Sequence, residues 1–406
     1  MNKLMTNRRS FIKGSLALAG TASFPFIGSR AFAAEKEATI LGIVPLTGPY
    51  AADGERIQRG QKMAIEDFNE QSNGLKLNYI SRDSGGDVGT AVRRVGQAHE
   101  RENLVAIAGP WADDVSAAIS EFAQREKIVH AFSGGPLPCH RYNFQWAPPY
   151  YAGVQASMTY MAEKYPDAKR WYMLTSDYAF GWTVEELEQK FAKDLGIEIV
   201  GSQRHVLGEK EFSPYMGEIS AAQPDVVLFN NFGLDTAQSL RTAYSFGLTQ
   251  QSKILVPWGS GIEDYLRLEP AITQGIVIGS AFYFTIDNPV AKSFADRYIE
   301  RFDEPPGYPA GSGYAVMQML LEALTDVDEV NPRNLVEALE GWQMDDSLVG
   351  PITMDANTHQ AFRPFFVTEG KAPDEVENKF DVARIVATHD GEVPEGALAC
   401  EGVGDF

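Results

Sequence analysis

The chain has 406 residues, enough for two or three domains at about 150 residues each, and its 44% hydrophobic and 22% charged residues, with 37 Gly and 22 Pro, sit near the globular average; that excludes disorder, collagen-like repeats and coiled coil. The 35 Lys and Arg against 55 Asp and Glu give a formal charge of −20. Nucleic acid and anionic membranes need a concentrated basic patch, so neither is expected as a partner.

Residues 1–33 read as a leader. Asn7-Arg8-Arg9-Ser10-Phe11-Ile12-Lys13 precedes a modest apolar stretch over 16–27 and then Ala31-Phe32-Ala33, a small-x-small pattern that a signal peptidase cleaves, here after Ala33. Paired Arg followed by Phe and Lys, ahead of a weakly hydrophobic core containing Gly and Ser, resembles a twin-arginine export signal, with Asn7 in place of the usual Ser or Thr. An ordinary secretory signal that happens to hold two Arg is the other reading. Both place the mature protein in the periplasm. No Cys before Cys139 is available for lipid attachment, and no other stretch reaches the roughly 18 apolar residues of a membrane span, so a soluble protein is expected. Cys139 and Cys400 are the only two cysteines, and in an oxidising compartment the pair is expected to be bridged; two unpaired buried thiols are the alternative.

From residue 39 onward short apolar runs alternate with segments that are amphipathic at helical spacing, the pattern of a parallel sheet covered by helices. A strand is predicted over 40–44, then a helix with Ile57, Gly60, Ala64 and Phe68 on one face, and a strand over 75–80. A helix over 90–102, a buried strand over 104–108, a helix over 113–126 and a strand over 128–132 complete a first unit. After the loop 133–149 the rhythm restarts with a helix carrying Val154, Met158 and Met161, a strand over 171–174, a helix over 182–194, and strands over 197–203 and 226–229. A helix bearing Ala237, Leu240 and Tyr244 and strands near 253–256 and 276–279 follow. Helices at 290–302, 311–325 and 332–340 and a strand pair at 348–354 and 362–367 end the pattern. The fold class is α/β: two doubly wound parallel-sheet lobes with a cleft between them, ligands lying at the carboxyl ends of strands. The expected division is 37–148 plus 283–349 for the first lobe, 149–282 plus 350–390 for the second, and a tail over 391–406 anchored by the Cys139–Cys400 bridge.

Catalysis has no support. The six histidines, at 99, 130, 140, 205, 359 and 389, show no His-x-His or His-Glu-x-x-His spacing, so no metal is expected. Neither Gly259-Ser260-Gly261 nor Gly311-Ser312-Gly313 forms a Gly-x-Ser-x-Gly elbow, and no Gly-x-x-x-x-Gly-Lys loop appears. Ser84-Gly85-Gly86-Asp87 reads as a strand-to-helix loop rather than a phosphate cradle. Neither an enzyme nor a cofactor is expected.

Several tags fall in one order. Gly42-Ile43-Val44-Pro45-Leu46-Thr47-Gly48-Pro49-Tyr50-Ala51-Ala52-Asp53-Gly54, Ile107-Ala108-Gly109-Pro110, Asp177-Tyr178-Ala179-Phe180-Gly181, Phe212-Ser213-Pro214-Tyr215, Gln223-Pro224-Asp225-Val226-Val227 and Asp355-Ala356-Asn357-Thr358-His359-Gln360 span nearly the whole mature chain. In that order they resemble the periplasmic solute-binding proteins of branched-chain amino acid and amide ABC transporters. The resemblance implies a type I bilobal binding protein with three crossover strands, which captures a small molecule by hinge closure and delivers it to permease and ATPase subunits of the inner membrane, and which works as a monomer. It also supports the cysteine pair.

By that resemblance the ligand contacts are Tyr50, Asp53, Trp111, Ala112, Asp113, Ser133, Gly134, Gly135, Tyr178, Asn231, Phe232, Trp258 and Ser260. Bland readings stand beside these. Asp53, Asp113 and Asp114 precede or open amphipathic helices, where Asp caps orphan N–H groups; the aromatic residues can be core, and Ser133-Gly134-Gly135 a tight turn. As aligned, amino-acid binders of the family hold the ligand carboxylate with a hydroxyl where this chain has Asp113 and the ammonium with a Glu where it has Trp258. Both anchors are changed, and a carboxylate ligand facing Asp113 meets like charge in a desolvated cleft. A cationic or amine ligand, an amide or an aromatic compound is therefore favoured over a branched-chain amino acid. The alternatives are a receptor that feeds a regulator and a branched-chain amino acid carrier.

Overall fold

Runs rich in Val, Ile and Leu that are apolar on both sides become inner strands, since a strand covered by helices on both faces has no polar side to show. The computed structural model describes residues 36–71, 74–135 and 138–406, so the expected leader lies outside the described residues. The first sheet is built from β1 (Lys36–Val44), α1 (Ala51–Glu70), β2 (Leu75–Asp83), α2 (Val88–His99), β3 (Leu104–Ala108), α3 (Asp113–Glu126), β4 (Val129–Phe132) and β5 (Asn143–Gln145). Its order is β2-β1-β3-β4-β5 and every pairing is parallel. The central β3, Leu-Val-Ala-Ile-Ala, is buried at every residue.

The chain then passes to a second sheet through α4 (Tyr150–Lys164), β6 (Arg170–Ser176), α5 (Ala179–Asp194), β7 (Glu198–His205), α6 (Ser213–Ala222) and β8 (Val226–Asn230). It continues with α7 (Leu234–Ser245), α8 (Leu248–Gln251), β9 (Lys253–Gly259), α9 (Ile262–Leu266), α10 (Pro270–Thr273) and β10 (Val277–Ser280). It returns to the first sheet as α11 (Pro289–Phe302), α12 (Tyr308–Asp326) and α13 (Pro332–Leu339), where α12 packs along α1 and α13 against β3 and β4. A small antiparallel sheet of β11 (Gln343–Met344), β12 (Ile352–Met354) and β13 (Ala361–Phe362) leads back to β14 (Phe365–Gly370) and β15 (Ala383–His389). The second sheet has the order β15-β14-β10-β9-β8-β6-β7, parallel from β10 to β7, with β14 and β15 antiparallel at one edge. The chain thus crosses between the sheets three times, after β5, β10 and β13.

Several elements depart from expectation, among them the short α8, α10 and β11, which no predicted element covers. The expected strand pair over 348–354 and 362–367 is divided: β12 pairs with β13, whereas β14, buried at all six residues, enters the second sheet instead. The edge strand β15 was not anticipated, and its half-exposed side chains give no apolar run to recognise. Helix α6 buries only Met216 and Ile219, too few for a periodic stripe. β5 is three residues long and is held by register with β4 rather than by pattern.

Cys139 and Cys400 are bridged, their Cα atoms 5.3 Å apart across 261 residues of chain. Arg141 Nη1 donates to the Gly404 carbonyl at 2.9 Å, and the Phe406 ring lies against the guanidinium groups of Arg141 and Arg333, 4.2 and 4.4 Å from its centroid. The tail is therefore fastened to the β4–β5 loop by a covalent bond, and to that loop and α13 by two cation–π contacts. Among the described residues no helix is long and apolar enough to cross a membrane.

Candidate ligand-binding cleft

Open parallel sheets leave their strand carboxyl ends free of covering helices, and loops from both sheets meet there. Tyr50 stands just before α1, Trp111, Ala112 and Asp113 follow β3, and Ser133 and Gly134 follow β4. From the other sheet come Tyr178 after β6, Phe232 after β8 and Trp258 near the end of β9. All nine line one pocket, together with Tyr150, Phe180 and Tyr308. A roomier cavity, of about 420 Å³, lies between β5, α5 and the disulfide-bonded tail and shares Tyr150 with this pocket.

Eight aromatic rings form the walls. Trp111 meets Phe232 at a centroid distance of 5.6 Å and Tyr308 at 5.2 Å, and Tyr150 meets Trp258 at 4.5 Å and Phe180 at 5.6 Å. Phe180 closes the ring of contacts with Tyr178 and Phe232, at 5.8 and 5.9 Å. The edge-to-face angles, 64° for Trp111–Phe232 and 71° for Tyr150–Trp258, are those the ring quadrupoles favour. The Tyr50 and Tyr178 side chains are hydrogen-bonded across the two lobes, and burial pushes both phenols above their ordinary 10.

Asp113 is the one acidic side chain in this lining. It does not cap α3, whose N-cap is Ala112; its carboxylate instead accepts from the Gly135 N–H at 3.1 Å and from the Tyr150 hydroxyl at 3.3 Å. Gly134 and Gly135 permit this approach: a Cβ on Gly135 would lie 2.6 Å from Asp113 Oδ2, and one on Gly134 2.0 Å from the Phe132 ring. Burial raises the Asp113 pKa from 3.8 to about 6, against the lowering effect of its two hydrogen bonds, and the neighbouring charge of Asp114 adds to the rise. Every group it bonds to is neutral. Among the described residues it has no ion-pair partner, which leaves a half-buried carboxylate facing aromatic walls.

Four of the expected contacts stand elsewhere. Gly135 holds Asp113 from outside the lining through its backbone N–H. Asn231 is fully buried, with Oδ1 2.7 Å from His205 Nε2 and Nδ2 donating to Ser239 Oγ at 2.9 Å, so it braces the loop that presents Phe232. Ser260 donates its N–H to Asp264 and accepts at its carbonyl from the Tyr308 N–H at 3.1 Å. Asp53, only 2% exposed, is ion-paired to Arg267 at 3.4 Å and to Arg56 at 3.9 Å. Tyr150, Phe180 and Tyr308 were missed. Tyr150 and Tyr308 directly follow Pro149 and Gly307 at helix starts, close behind the Pro-Pro steps Pro148-Pro149 and Pro305-Pro306, a local pattern that marks the helix start but not the direction of the ring. Among the described residues no group of three or more His, Cys, Asp or Glu side chains could hold a metal ion.

The family model described as "Periplasmic binding protein" matches residues 37–375. A "Leu/Ile/Val-binding protein homolog 4" from Brucella melitensis is 24% identical over 377 residues, covering 87% of this chain and 87% of its own. The solved amino acid ABC transporter substrate-binding protein of Pseudomonas fluorescens superposes with a TM-score of 0.84 at 25% identity, over 89% of this chain and 98% of that one. A solute-binding protein of an ABC transporter from Rhodopseudomonas palustris, solved in complex with 3,4-dihydroxybenzoic acid, has a TM-score of 0.78 at 20% identity over 89% and 99%.

Proposed function

The chain belongs to the periplasmic binding protein family, in its branched-chain amino acid ABC transporter branch, and from that premise we propose that its cleft takes a small organic cation, an amine or quaternary ammonium compound. It is the solute-binding component of an ABC transporter and not an enzyme. The observation that carries the ligand class is Asp113: a carboxylate without a countercharge, at the bottom of a box of eight rings. A cation there gains twice, by pairing with the carboxylate and by lying on the negative faces of the rings, and both terms grow as water leaves. A free amino acid would bring its own carboxylate toward the same charge.

In this reading residues 37–148 with 283–349 and residues 149–282 with 350–390 act as the two jaws. Closure completes the box, since Trp111 and Tyr50 come from one side and Phe232, Tyr178 and Trp258 from the other. The closed form is what the permease receives. A hydroxylated aromatic compound is the second reading, since flat ring faces and a carboxylate acceptor suit its ring and hydroxyls; the Rhodopseudomonas neighbour was solved with a dihydroxybenzoic acid, whose own carboxylate would meet Asp113 as an amino acid's does.

A thermal-shift screen of the mature protein tests this, because a cleft ligand stabilises the folded state by RT ln(1 + [L]/Kd). The panel spans amino acids, amides, quaternary amines, polyamines and aromatic acids. A shift with an amine and none with amino acids is expected; a shift confined to amino acids or other carboxylates overturns the proposal. Trp258→Leu, which keeps an apolar side chain but removes the π face, is expected to weaken the amine found in the screen about tenfold by calorimetry. An unchanged Kd would remove Trp258 from the ligand's surroundings.

A further inference from the structure

The cleft accounts for Asp113 but leaves a second set of charges unused. Asp53 and Arg56 lie in the first turns of α1, in the first lobe; Glu263 and Asp264 lie in α9, and Arg267 follows it, in the second. Across the gap Arg267 Nη2 stands 3.4 Å from Asp53 Oδ1, and Arg56 Nε stands 3.8 Å from Glu263 Oε1. Each partner is also held from its own side: Arg267 by Asp264 at 3.4 Å, Arg56 by Glu304 at 2.9 Å. The Tyr308 N–H donates to the Ser260 carbonyl beside them, a backbone contact that also joins the lobes. Asp53 and Glu263 are 2% and 4% exposed; burial raises both carboxyl pKa values, that of Glu263 to about 8, against the lowering pull of Arg56 and Arg267, so Glu263 is largely protonated at neutral pH and Asp53–Arg267 is the ion pair that spans the gap.

We propose that Asp53 and Arg267 form a latch that holds a fraction of the protein closed before any ligand arrives. Neither is itself part of the pocket lining. Asp53 reaches the ligand site through Trp111, whose indole N–H hydrogen-bonds to it, so the wall of the box and the latch share one carboxylate. Rotation of one lobe about the three crossings pulls Asp53 from Arg267 and withdraws one of that acceptor's two countercharges, Arg56 staying with it on the same helix. Closing the cleft therefore sets Trp111 in place, and a ligand that finds the box assembled need not supply the energy of closure from its own contacts. Glu263 lies against the start of α12: a Cβ on Gly307 would fall 1.6 Å from its Oε2, so a side chain there would displace the carboxyl group. Asp53 and Arg267 are positioning residues in this scheme.

The inference rests on the solute-binding function of the cleft and not on the ligand's charge, and its test uses no ligand. Spin labels on Arg93→Cys in α2 and Ser245→Cys in α7, both exposed, report the distance between the lobes by double electron–electron resonance in the ligand-free mature protein, whose two native cysteines are already bridged. The labelled parent is expected to show a closed component. Arg267→Met, close in length but uncharged, is expected to lower the closed-to-open ratio about tenfold, while Arg267→Lys, which restores the charge, recovers most of it. If Arg267→Met does not fold, Asp53→Asn, equal in volume, reads the same quantity. A parent with no closed component overturns the latch, and so does an equal closed component in Arg267→Met or Asp53→Asn. Failure here leaves the amine reading of the pocket intact, and failure of the amine screen leaves this measurement standing.

Discussion

Asp113→Asn is expected to weaken binding of the small organic cation by roughly a hundredfold, the effect of removing one member of a buried, hydrogen-bonded charge pair. The substitution keeps volume and one acceptor: the oxygen can still accept from the Gly135 N–H, and the new amide NH2 can donate to the Tyr150 oxygen in place of accepting from it, so the main loss is that of charge. A fall of less than about threefold would place the ligand's positive end elsewhere. The pH dependence gives a second check. Asp113 takes its proton near pH 6 in the folded protein and near 3.8 when unfolded. Between these values the folded state holds the extra proton, so for this group the stability of the ligand-free protein is greatest at the acidic end and declines as pH rises through about 6. Cation binding runs the other way, because it needs the ionised carboxylate. Affinity is expected to be flat above pH 7 and to fall about tenfold per unit below 6, with Asp113→Asn flat throughout, as read by calorimetry across pH. A neutral or anionic ligand would show no such fall.

How far this site was visible beforehand depends on the kind of residue. The loops after β3, β4, β6, β8 and β9 were located because five apolar runs mark the strands and the strand ends fix where a ligand lies. Two aspartates at neighbouring helix starts looked alike in sequence, and there the reading ran out. Asp53 and Asp113 differ only in what folds against them: two guanidinium groups for one, a glycine N–H and a phenol for the other. Those partners lie 214 and 3 residues from Asp53 and 22 and 37 residues from Asp113, so only the nearest of them is local. Tyr150, Phe180 and Tyr308 were overlooked because a ring at a helix start points into the cleft or into the core according to the crossing angle of its segment, which no local pattern encodes. The same limit applies to β14. Its six residues read as a strand, but which sheet receives them is decided by the crossing that precedes it.

Arg363→Ala is expected to lower the free energy of unfolding by about 3–5 kcal/mol, measured by urea denaturation, although the side chain is not itself part of the cleft lining. Arg363 is fully buried between β13 and β14, in the third crossing. Its Nε donates to the Trp146 carbonyl at 2.8 Å, in the first crossing, and its Nη1 to the Ala281 carbonyl at 2.8 Å, in the second, and to the Pro364 carbonyl at 3.1 Å. One guanidinium therefore binds all three segments that join the lobes. No carboxylate partners it among the described residues; the face of Trp146, 3.6 Å away, and the carbonyl dipoles take that part. Burial pulls its pKa below the ordinary 12.5, the mark of a cation that solvates poorly where it sits. Such a group is costly to bury, and its removal is costlier still, because three carbonyls lose their donor and the planar space beside Trp146 is left empty. Lysine cannot replace it: a point charge on a flexible stem reaches one or two carbonyls where the fork reaches three, so Arg363→Lys should recover less than half of the loss. A loss below about 1 kcal/mol in Arg363→Ala would show that water substitutes for the guanidinium at the crossings, and that the hinge is held by Gln360, which donates to the Ala147 carbonyl at 2.6 Å, and by the stacked Phe144 and His359 rings, 4.1 Å apart. With the three crossings tied at one atom group, the lobes can turn about that point while the strands leading into it keep their relative places, which is what a cleft that must reassemble eight rings on every closure requires.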